Sequence, residues 1–144
     1  MNEKPIKALI VEDVFLIQRL IAHLIQDYAE CKPAENGKDA INLFTSEYFN
    51  GVPFNLVCLD IYLPEMNGIE VLKSIRAFEE EIRLKEDERC KIVMVSSSSN
   101  HNMVNSAKKV GCDGYVTKPF TKDEVIAELL RLKLITEKQL AAEK

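Results

Sequence analysis

The sequence lacks the features of several large protein classes. No apolar run among the 144 residues approaches the ~20 residues needed to span a bilayer, so we expect no membrane insertion. Residues 1–7 are polar and lead directly into an apolar run, so we expect no signal peptide. There is no basic stripe and the formal net charge is -4, which argues against nucleic acid as a direct partner.

Paired cysteines are also missing. None of the four cysteines has the CxxC spacing that is typical of metal and redox sites. Cys58 lies inside an apolar run, where a thiol acts as a small hydrophobic group. We therefore predict free thiols, not disulfides or zinc ligands, which is typical of a reducing compartment. A cytoplasmic protein is expected.

Short apolar runs alternate with segments of helical periodicity along the chain. The predicted strands are residues 7–11, 31–34, 56–59, 91–95 and 114–117. Five strands alternating with five helices indicate an α/β fold with a doubly wound parallel sheet. Pro33 has no amide donor, so its strand belongs at a sheet edge. With no repeat or linker, we expect one domain over residues 1–134 and a short helical or frayed tail over residues 135–144.

Local patterns predict several details of the helices. Asp13 stands where it can cap the first helix, and Leu20 falls on the apolar face of that helix. Thr121 and Glu124 have the spacing of a capping box at the start of the last helix. Residues 79–89 are a run of charged side chains, which is typical of a solvated helix end or loop.

Polar residues follow four of the predicted strands. Glu12 and Asp13 come after the first strand, Asp60 ends the third, Ser96 follows the fourth and Lys118 follows the fifth. The carboxyl ends of parallel strands share one edge, where α/β sheets bind their ligands. Clustered carboxylates repel one another unless a cation intervenes, and carboxylates with water and phosphate oxygens suit Mg²⁺. The sequence therefore predicts a magnesium site at this edge.

The same residues favour phosphoryl chemistry. With Mg²⁺ held by Asp13 and Asp60, and by Glu12 directly or through water, the free oxygen of Asp60 is a candidate nucleophile toward phosphorus. Lys118 supplies a point charge for one phosphoryl oxygen. The Ser96 hydroxyl can donate a hydrogen bond to another. Positioning and charge neutralisation supply most of the catalysis in such transfers.

Together these segments resemble the receiver domain of two-component response regulators, of the stand-alone chemotaxis or phosphorelay type. The resemblance covers residues 6–132. Its motifs are Glu12-Asp13, Asp60 with the 63–68 segment Leu-Pro-Glu-Met-Asn-Gly, Val95-Ser96 and the 115–120 segment Tyr-Val-Thr-Lys-Pro-Phe. The resemblance implies a flavodoxin-like (βα)5 fold with strand order 2-1-3-4-5.

The resemblance also implies roles for individual residues. Asp60 would accept a phosphoryl group from a histidine kinase or a histidine phosphotransfer protein. The backbone carbonyl of Tyr62 would be a further Mg²⁺ ligand, and Lys118-Pro119 would be a cis peptide. On phosphorylation Ser96 would move toward the new oxygens and Tyr115 would rotate inward. The surface of the fourth helix, fifth strand and fifth helix would then bind a different protein target, whose identity stays unknown, or phosphate would be passed onward.

This chain departs mildly from the family pattern. Glu12 replaces an Asp and Ser96 stands where Thr is common. Tyr62 and Ser98, two positions beyond Asp60 and Ser96, are expected to tune dephosphorylation. The resemblance implies a signalling domain with Mg²⁺-dependent phosphotransfer and autodephosphorylation chemistry, not a turnover enzyme. The sequence does not distinguish a stand-alone protein from a receiver domain that is part of a hybrid kinase.

Three other protein classes need sequence features that this chain lacks. A haloacid-dehalogenase-type phosphatase needs a second Asp two residues after its nucleophile, where this chain has Tyr62. A flavodoxin proper needs a Ser/Thr/Gly phosphate loop where Glu12 and Asp13 would repel phosphate. The GxxxxGK[ST] loop of nucleotide-binding proteins is absent. The alternative that stays open is a receiver-fold interaction module that acts without phosphorylation.

Overall fold

Each predicted strand is present in the computed structural model, which describes residues 6–97 and 100–142. The strands form one parallel sheet in the order 2-1-3-4-5, which confirms the predicted flavodoxin-like topology. They are β1 (Ile6–Val11), β2 (Ala29–Ala34), β3 (Leu56–Leu59), β4 (Lys91–Ser96) and β5 (Gly114–Thr117). Strand β2 lies at one edge, and its exposed Pro33 confirms the prediction of an edge strand.

Helices connect the strands and continue beyond the last one. They are α1 (Phe15–Ile25), α2 (Gly37–Phe49), α3 (Gly68–Glu81), α4 (His101–Val110), α5 (Lys122–Arg131) and α6 (Glu137–Ala142). A short 3-10 helix, Glu86–Glu88, follows α3. Within the described ranges no helix has the length and apolarity required to cross a bilayer.

The sheet separates two apolar cores. Alternate residues of a strand point to opposite faces, so Leu9 and Val11 pack on one side while Ala8 and Ile10 pack on the other. Helices α2, α3 and α4 cover the first face, and α1 and α5 cover the second. All four residues of β3 are buried, as expected for a central strand covered on both faces.

The helix boundaries follow the local chemistry. The Thr121 hydroxyl accepts a hydrogen bond from Glu124 N, and the Glu124 carboxylate accepts one from Thr121 N, which confirms the predicted capping box. The Asn67 side chain caps α3 by accepting from Glu70 N. Gly111 follows the last residue of α4 with a φ of 119°. Glycine adopts this left-handed conformation at little energetic cost because it has no Cβ.

Helix α1 differs from the prediction in two respects. Its N-cap residue is Val14 without a side-chain hydrogen bond, so the prediction that Asp13 caps the helix was wrong. The Asp13 carboxylate instead lies with Glu12 at the sheet edge. Leu20 is 43% exposed and not part of the core. It lies about 100° around the helix from Ile21, outside the narrow buried stripe.

The charged segment that follows α3 is only partly solvated. Glu79 is fully buried, contrary to the prediction of a solvated run. Its carboxylate pairs with Arg76 at 2.6 Å and accepts a hydrogen bond from Cys90 N at 2.9 Å. Arg76 also pairs with Asp113 at 2.7 Å and donates to Cys90 O, so one guanidinium links α3, the residue before β4 and the loop before β5. A buried charge persists here because it is paired and hydrogen-bonded.

The segment after α5 packs partly against the domain. Ile135 is buried, and Leu140 of α6 contacts the core between α1 and α5. Residues 143–144 lie outside the described ranges. The boundary between domain and tail at residue 134 stays a prediction.

Candidate functional site

The acidic residues predicted from the sequence meet at the carboxyl edge of the sheet. Glu12 and Asp13 follow β1, and Asp60 follows β3. These two strands are hydrogen-bonded neighbours, and Asp60 N donates to Val11 O at 3.1 Å. One carboxylate oxygen of each of the three residues lies within 4.8 Å of the others. Glu12 and Asp60 are buried, and Asp13 is exposed.

Lys118 lies between two of these carboxylates. Its ammonium is 3.1 Å from Asp60 Oδ2 and also forms an ion pair with Glu12 Oε1. Lys118 directly follows β5 and is in the loop that contains the cis Lys118-Pro119 peptide. Its backbone N–H donates to Ser96 O at 2.8 Å, which attaches this loop to the end of β4. The sheet therefore brings together residues that are more than 100 positions apart, as with Glu12 and Lys118.

The charges in this pocket influence one another. Burial raises the pKa of Glu12, against the lowering effect of its hydrogen bond with Lys118. Burial also acts to lower the pKa of Lys118, but the hydrogen bond to Glu12 and the charge of Asp60 outweigh it and raise that pKa. Lys118 is therefore protonated at neutral pH. The Lys118 ammonium contacts two of the three clustered carboxylates, and its one positive charge leaves an excess of negative charge when all three are ionised.

The loop after β3 orients Asp60. Tyr62 N donates to Asp60 Oδ1 at 3.1 Å, while Oδ2 faces Lys118, so the two oxygens of Asp60 have different partners. Gly68 N donates to Ile61 O at 2.7 Å and closes the loop onto the start of α3. A Cβ on Gly68 would lie 2.1 Å from Asp60 O, so only glycine allows this approach.

Ser96 and Tyr115 lie on neighbouring strands beside Asp60. Ser96 is fully buried at the end of β4, and its side chain is hydrogen-bonded to the partly buried Tyr115 of β5. Burial raises the pKa of Tyr115 despite this hydrogen bond. The contact joins the two residues that the resemblance gives as a switch, and their movement stays a prediction. Ser98, the predicted tuning position, lies outside the described residues.

The donor set fits a hard divalent cation. Glu12, Asp13 and Asp60 offer carboxylate oxygens, which is the chemistry that Mg²⁺ prefers, and their negative charge exceeds what Lys118 neutralises. The Tyr62 side chain is exposed, and the loop N–H of this residue is bonded to Asp60. That the backbone carbonyl of Tyr62 is a metal ligand stays a prediction.

One residue near the site was not predicted. Gln18 on α1 is buried, and its Nε2 donates to Glu12 O at 3.2 Å. The sequence does indicate its burial, because Gln18 is three and seven residues before Ile21 and Ile25 and therefore lies on the same face of the helix. A polar residue on a buried stripe needs a hydrogen-bond partner, and this partner is the backbone of an acidic site residue.

Several apolar residues at and just before the start of α1, beside the site, are exposed. Val14, Phe15, Leu16 and Leu20 are between 43% and 76% exposed. These four residues, here called the α1 patch, begin directly after Asp13. Large exposed apolar patches are typical of interaction surfaces.

Known proteins resemble this chain in sequence over most of its length. A model of the response regulator receiver domain matches residues 8–130. The chemotaxis protein CheY of Listeria monocytogenes is 32% identical over 126 residues, which cover 86% of this chain and 95% of the relative. The CheY protein of Halobacterium salinarum is 31% identical over 121 residues, covering 83% of this chain and 90% of the relative.

Solved structures share the fold. A BeF3-activated DrrB receiver domain superposes with a TM-score of 0.73 at 24% identity, covering 90% of this chain and 98% of that one. A CheX–CheY–BeF3–Mg complex from Borrelia burgdorferi gives a TM-score of 0.74 at 23% identity, covering 90% of each chain. At these identities the likeness supports the fold alone.

Proposed function

The chain belongs to the response regulator receiver family, and from this premise we propose that Asp60 is its phosphoacceptor in two-component signalling. The donor is the phosphohistidine of a histidine kinase or of a histidine phosphotransfer protein. The observation that carries the proposal is the arrangement around Asp60, where a buried carboxylate faces the Lys118 ammonium 3.1 Å away and shares a cluster with Glu12 and Asp13.

The transfer is a displacement at phosphorus. An oxygen of Asp60 forms the new O–P bond while the P–N bond to the donor imidazole breaks, and the electron pair stays on that nitrogen. Lys118 places a positive charge where the charge of the phosphoryl oxygens has to be balanced. The Ser96 hydroxyl can donate to one of those oxygens once its hydrogen bond with Tyr115 is exchanged.

Mg²⁺ is the proposed cofactor. Asp13 and Asp60, with Glu12 directly or through water and the carbonyl of Tyr62, would hold it. When bound, the ion would neutralise the excess negative charge of the acidic cluster and of the incoming phosphate. The ion pair of Glu12 with Lys118 shows how the protein balances part of that charge by itself.

The α1 patch supports a protein as the phosphodonor. A small phosphate donor needs no apolar docking surface, whereas a histidine-bearing protein has to dock before its imidazole can approach Asp60. The patch starts one residue after Asp13, and its side chains are 43% to 76% exposed. We place this encounter in the cytoplasm, as the free thiols also suggest.

The output follows from a shift between two states. Phosphorylation adds about −1.5 to −2 charges, and the phosphate shifts an existing equilibrium by its differential affinity for the two states. The change at Asp60 would then reach β5 through Ser96 and Tyr115, which lie on neighbouring strands. The surface of α4, β5 and α5 would then bind a downstream protein, or phosphate would pass to a further histidine.

Intact mass measurement after incubation with acetyl phosphate tests the proposal. We expect a Mg²⁺-dependent adduct of about 80 Da, the mass of one phosphoryl group, that is lost on Asp60→Asn. Asp87→Asn, in the exposed 3-10 helix, is the matched control and should keep the adduct. No adduct on the folded wild-type chain would contradict the proposal and favour an interaction module that acts without phosphorylation.

A further inference from the structure

Gln18 is a buried amide on a helix that exposes much of its apolar surface. The buried residues of α1 are Gln18, Ile21 and Ile25, while Phe15 and Leu16 point outward. An amide that is buried without a hydrogen-bond partner destabilises the folded state, so a buried glutamine requires a partner. Gln18 is only 5% exposed, and its Nε2 donates to the carbonyl oxygen of Glu12 at 3.2 Å.

The Glu12 backbone is held from both sides. Its N–H donates to Ala34 O, at the end of β2, at 3.0 Å. Its carbonyl accepts from Gln18, and its carboxylate accepts from Val14 N at 3.2 Å and pairs with Lys118. The carbonyl is the only one of these three groups whose partner is a side chain of α1.

That carbonyl belongs to the peptide that joins Glu12 to Asp13. The plane of a trans peptide is rigid, so a fixed carbonyl also fixes the direction in which the chain leaves toward Asp13. Asp13 is exposed and does not cap α1, so its position in the acidic cluster depends on the backbone that carries it. A rotation of this peptide would move the Asp13 carboxylate away from Asp60.

We propose that Gln18 is a positioning residue for the cation site, which holds the Glu12–Asp13 peptide so that both carboxylates converge with Asp60. The inference rests on the proposed function, since it gives Gln18 a part in binding Mg²⁺. Groups that orient metal ligands typically contribute 10–100-fold in affinity when they are removed. Gln18 acts on the backbone and not on a ligand atom, so we expect the lower end of that range, about tenfold.

The test compares Gln18→Met with Gln26→Met. Methionine fills nearly the volume of glutamine but donates no hydrogen bond. Gln26 is an exposed residue just after α1, and among the described residues its side chain bonds only to the His23 ring, so its replacement is the matched control. Isothermal titration calorimetry with MgCl2 gives the affinity, and urea unfolding in EDTA gives the stability without metal.

We expect Gln18→Met to bind Mg²⁺ about tenfold more weakly and Gln26→Met to bind like the wild type. A role in folding alone predicts lower stability in EDTA with unchanged affinity, and that result would overturn the inference. Should Gln18→Met not fold, Gln18→Asn keeps the amide but withdraws it from the carbonyl and gives the same comparison.

The wild-type titration separates this inference from the proposed function. If the wild type binds Mg²⁺ and Gln18→Met and Gln18→Asn bind it equally well, only the role of Gln18 is wrong. If the folded wild type shows no heat of Mg²⁺ binding, the proposed cation site itself is contradicted, and the inference falls with it.

Discussion

Replacing Lys118 should destabilise the protein and at the same time increase the stabilisation that Mg²⁺ gives. The ammonium of Lys118 contacts the carboxylates of Glu12 and Asp60, which are 1% and 6% exposed. Removing one partner of a buried ion pair costs about 3–5 kcal/mol, because the remaining charge is uncompensated. The Lys118 side chain is 19% exposed, so water screens part of this effect, and we expect about 2–4 kcal/mol for Lys118→Met.

Mg²⁺ should reverse this loss. Both Lys118 and the cation neutralise the same carboxylates, so the ion would bind the variant more tightly than the wild type. Each tenfold gain in affinity adds about 1.4 kcal/mol to the stabilisation at a fixed, saturating concentration of Mg²⁺. Phosphorylation of Asp60 should nevertheless be slower in the variant, because the charge that faces the phosphoryl oxygens is missing.

Urea unfolding followed by far-UV circular dichroism measures both effects, since the chain has no tryptophan for fluorescence. The experiment is carried out at pH 7 in EDTA and again in saturating MgCl2. Lys109→Met is the control, because Lys109 is an exposed residue on α4 without an ion pair among the described residues. Two results would contradict this prediction: Lys118→Met is as stable as Lys109→Met in EDTA, or Mg²⁺ stabilises Lys118→Met less than it stabilises the wild type.

Three further predictions concern stability and access to the site. Arg76→Met should lower the free energy of unfolding by about 3–5 kcal/mol in urea titrations, since it leaves the carboxylates of Glu79 and Asp113 without their cation. Hydrogen bonds from Lys32 and Lys7 lower the pKa of Glu47 to about 2 from its ordinary 4.5, so its contribution to stability is full above pH 4.5 and is lost as the pH falls toward 2. Urea unfolding between pH 2 and pH 7 should therefore show a shallower acid loss in Glu47→Gln. Gly68→Ala should cost about 1–3 kcal/mol and slow acetyl phosphate labelling, because its Cβ would overlap the Asp60 carbonyl.

Each of these predictions has a clear contrary result. Arg83→Met, on an exposed arginine, should change stability little, and an Arg76→Met variant that behaves like it would refute the importance of the buried network. An acid profile that is the same in Glu47→Gln and in the wild type would show that this carboxylate is not linked to folding. Gly68→Ala with normal stability and labelling would mean that the loop after β3 can move away from Asp60 without loss.

The sequence predicted the sheet and the acidic cluster because both depend on simple patterns. Short apolar runs alternate with helical periodicity, and a parallel sheet has to bring the carboxyl ends of its strands to one edge. The polar residues that follow those runs, such as Asp60 and Lys118, therefore had a predictable location. The sequence did not predict that the two carboxylate oxygens of Asp60 have different partners. One accepts from Tyr62 N and the other faces Lys118, and this arrangement depends on the geometry of the loop after β3.

Other features depend on contacts that no local pattern contains. Glu79 is in a charged run, and its burial depends on Arg76 and on the N–H of Cys90, which the return of the chain into β4 brings close. Gln18 bonds to a backbone carbonyl, and carbonyls carry no sequence signal. Asp13 has the right type and place for a helix cap, but its carboxylate belongs to the acidic cluster, so competition between two roles decided the outcome.

In the proposed function, the phosphoryl group is carried by Asp60 and by no other carboxylate. Reduction of the labelled protein with borohydride, followed by peptide mass spectrometry, converts an acyl phosphate to the alcohol and marks the residue that carried it. We expect homoserine at position 60 after labelling with Mg²⁺, and no homoserine after labelling in EDTA. Labelling at Asp13 or at another carboxylate, with position 60 unchanged, would contradict it.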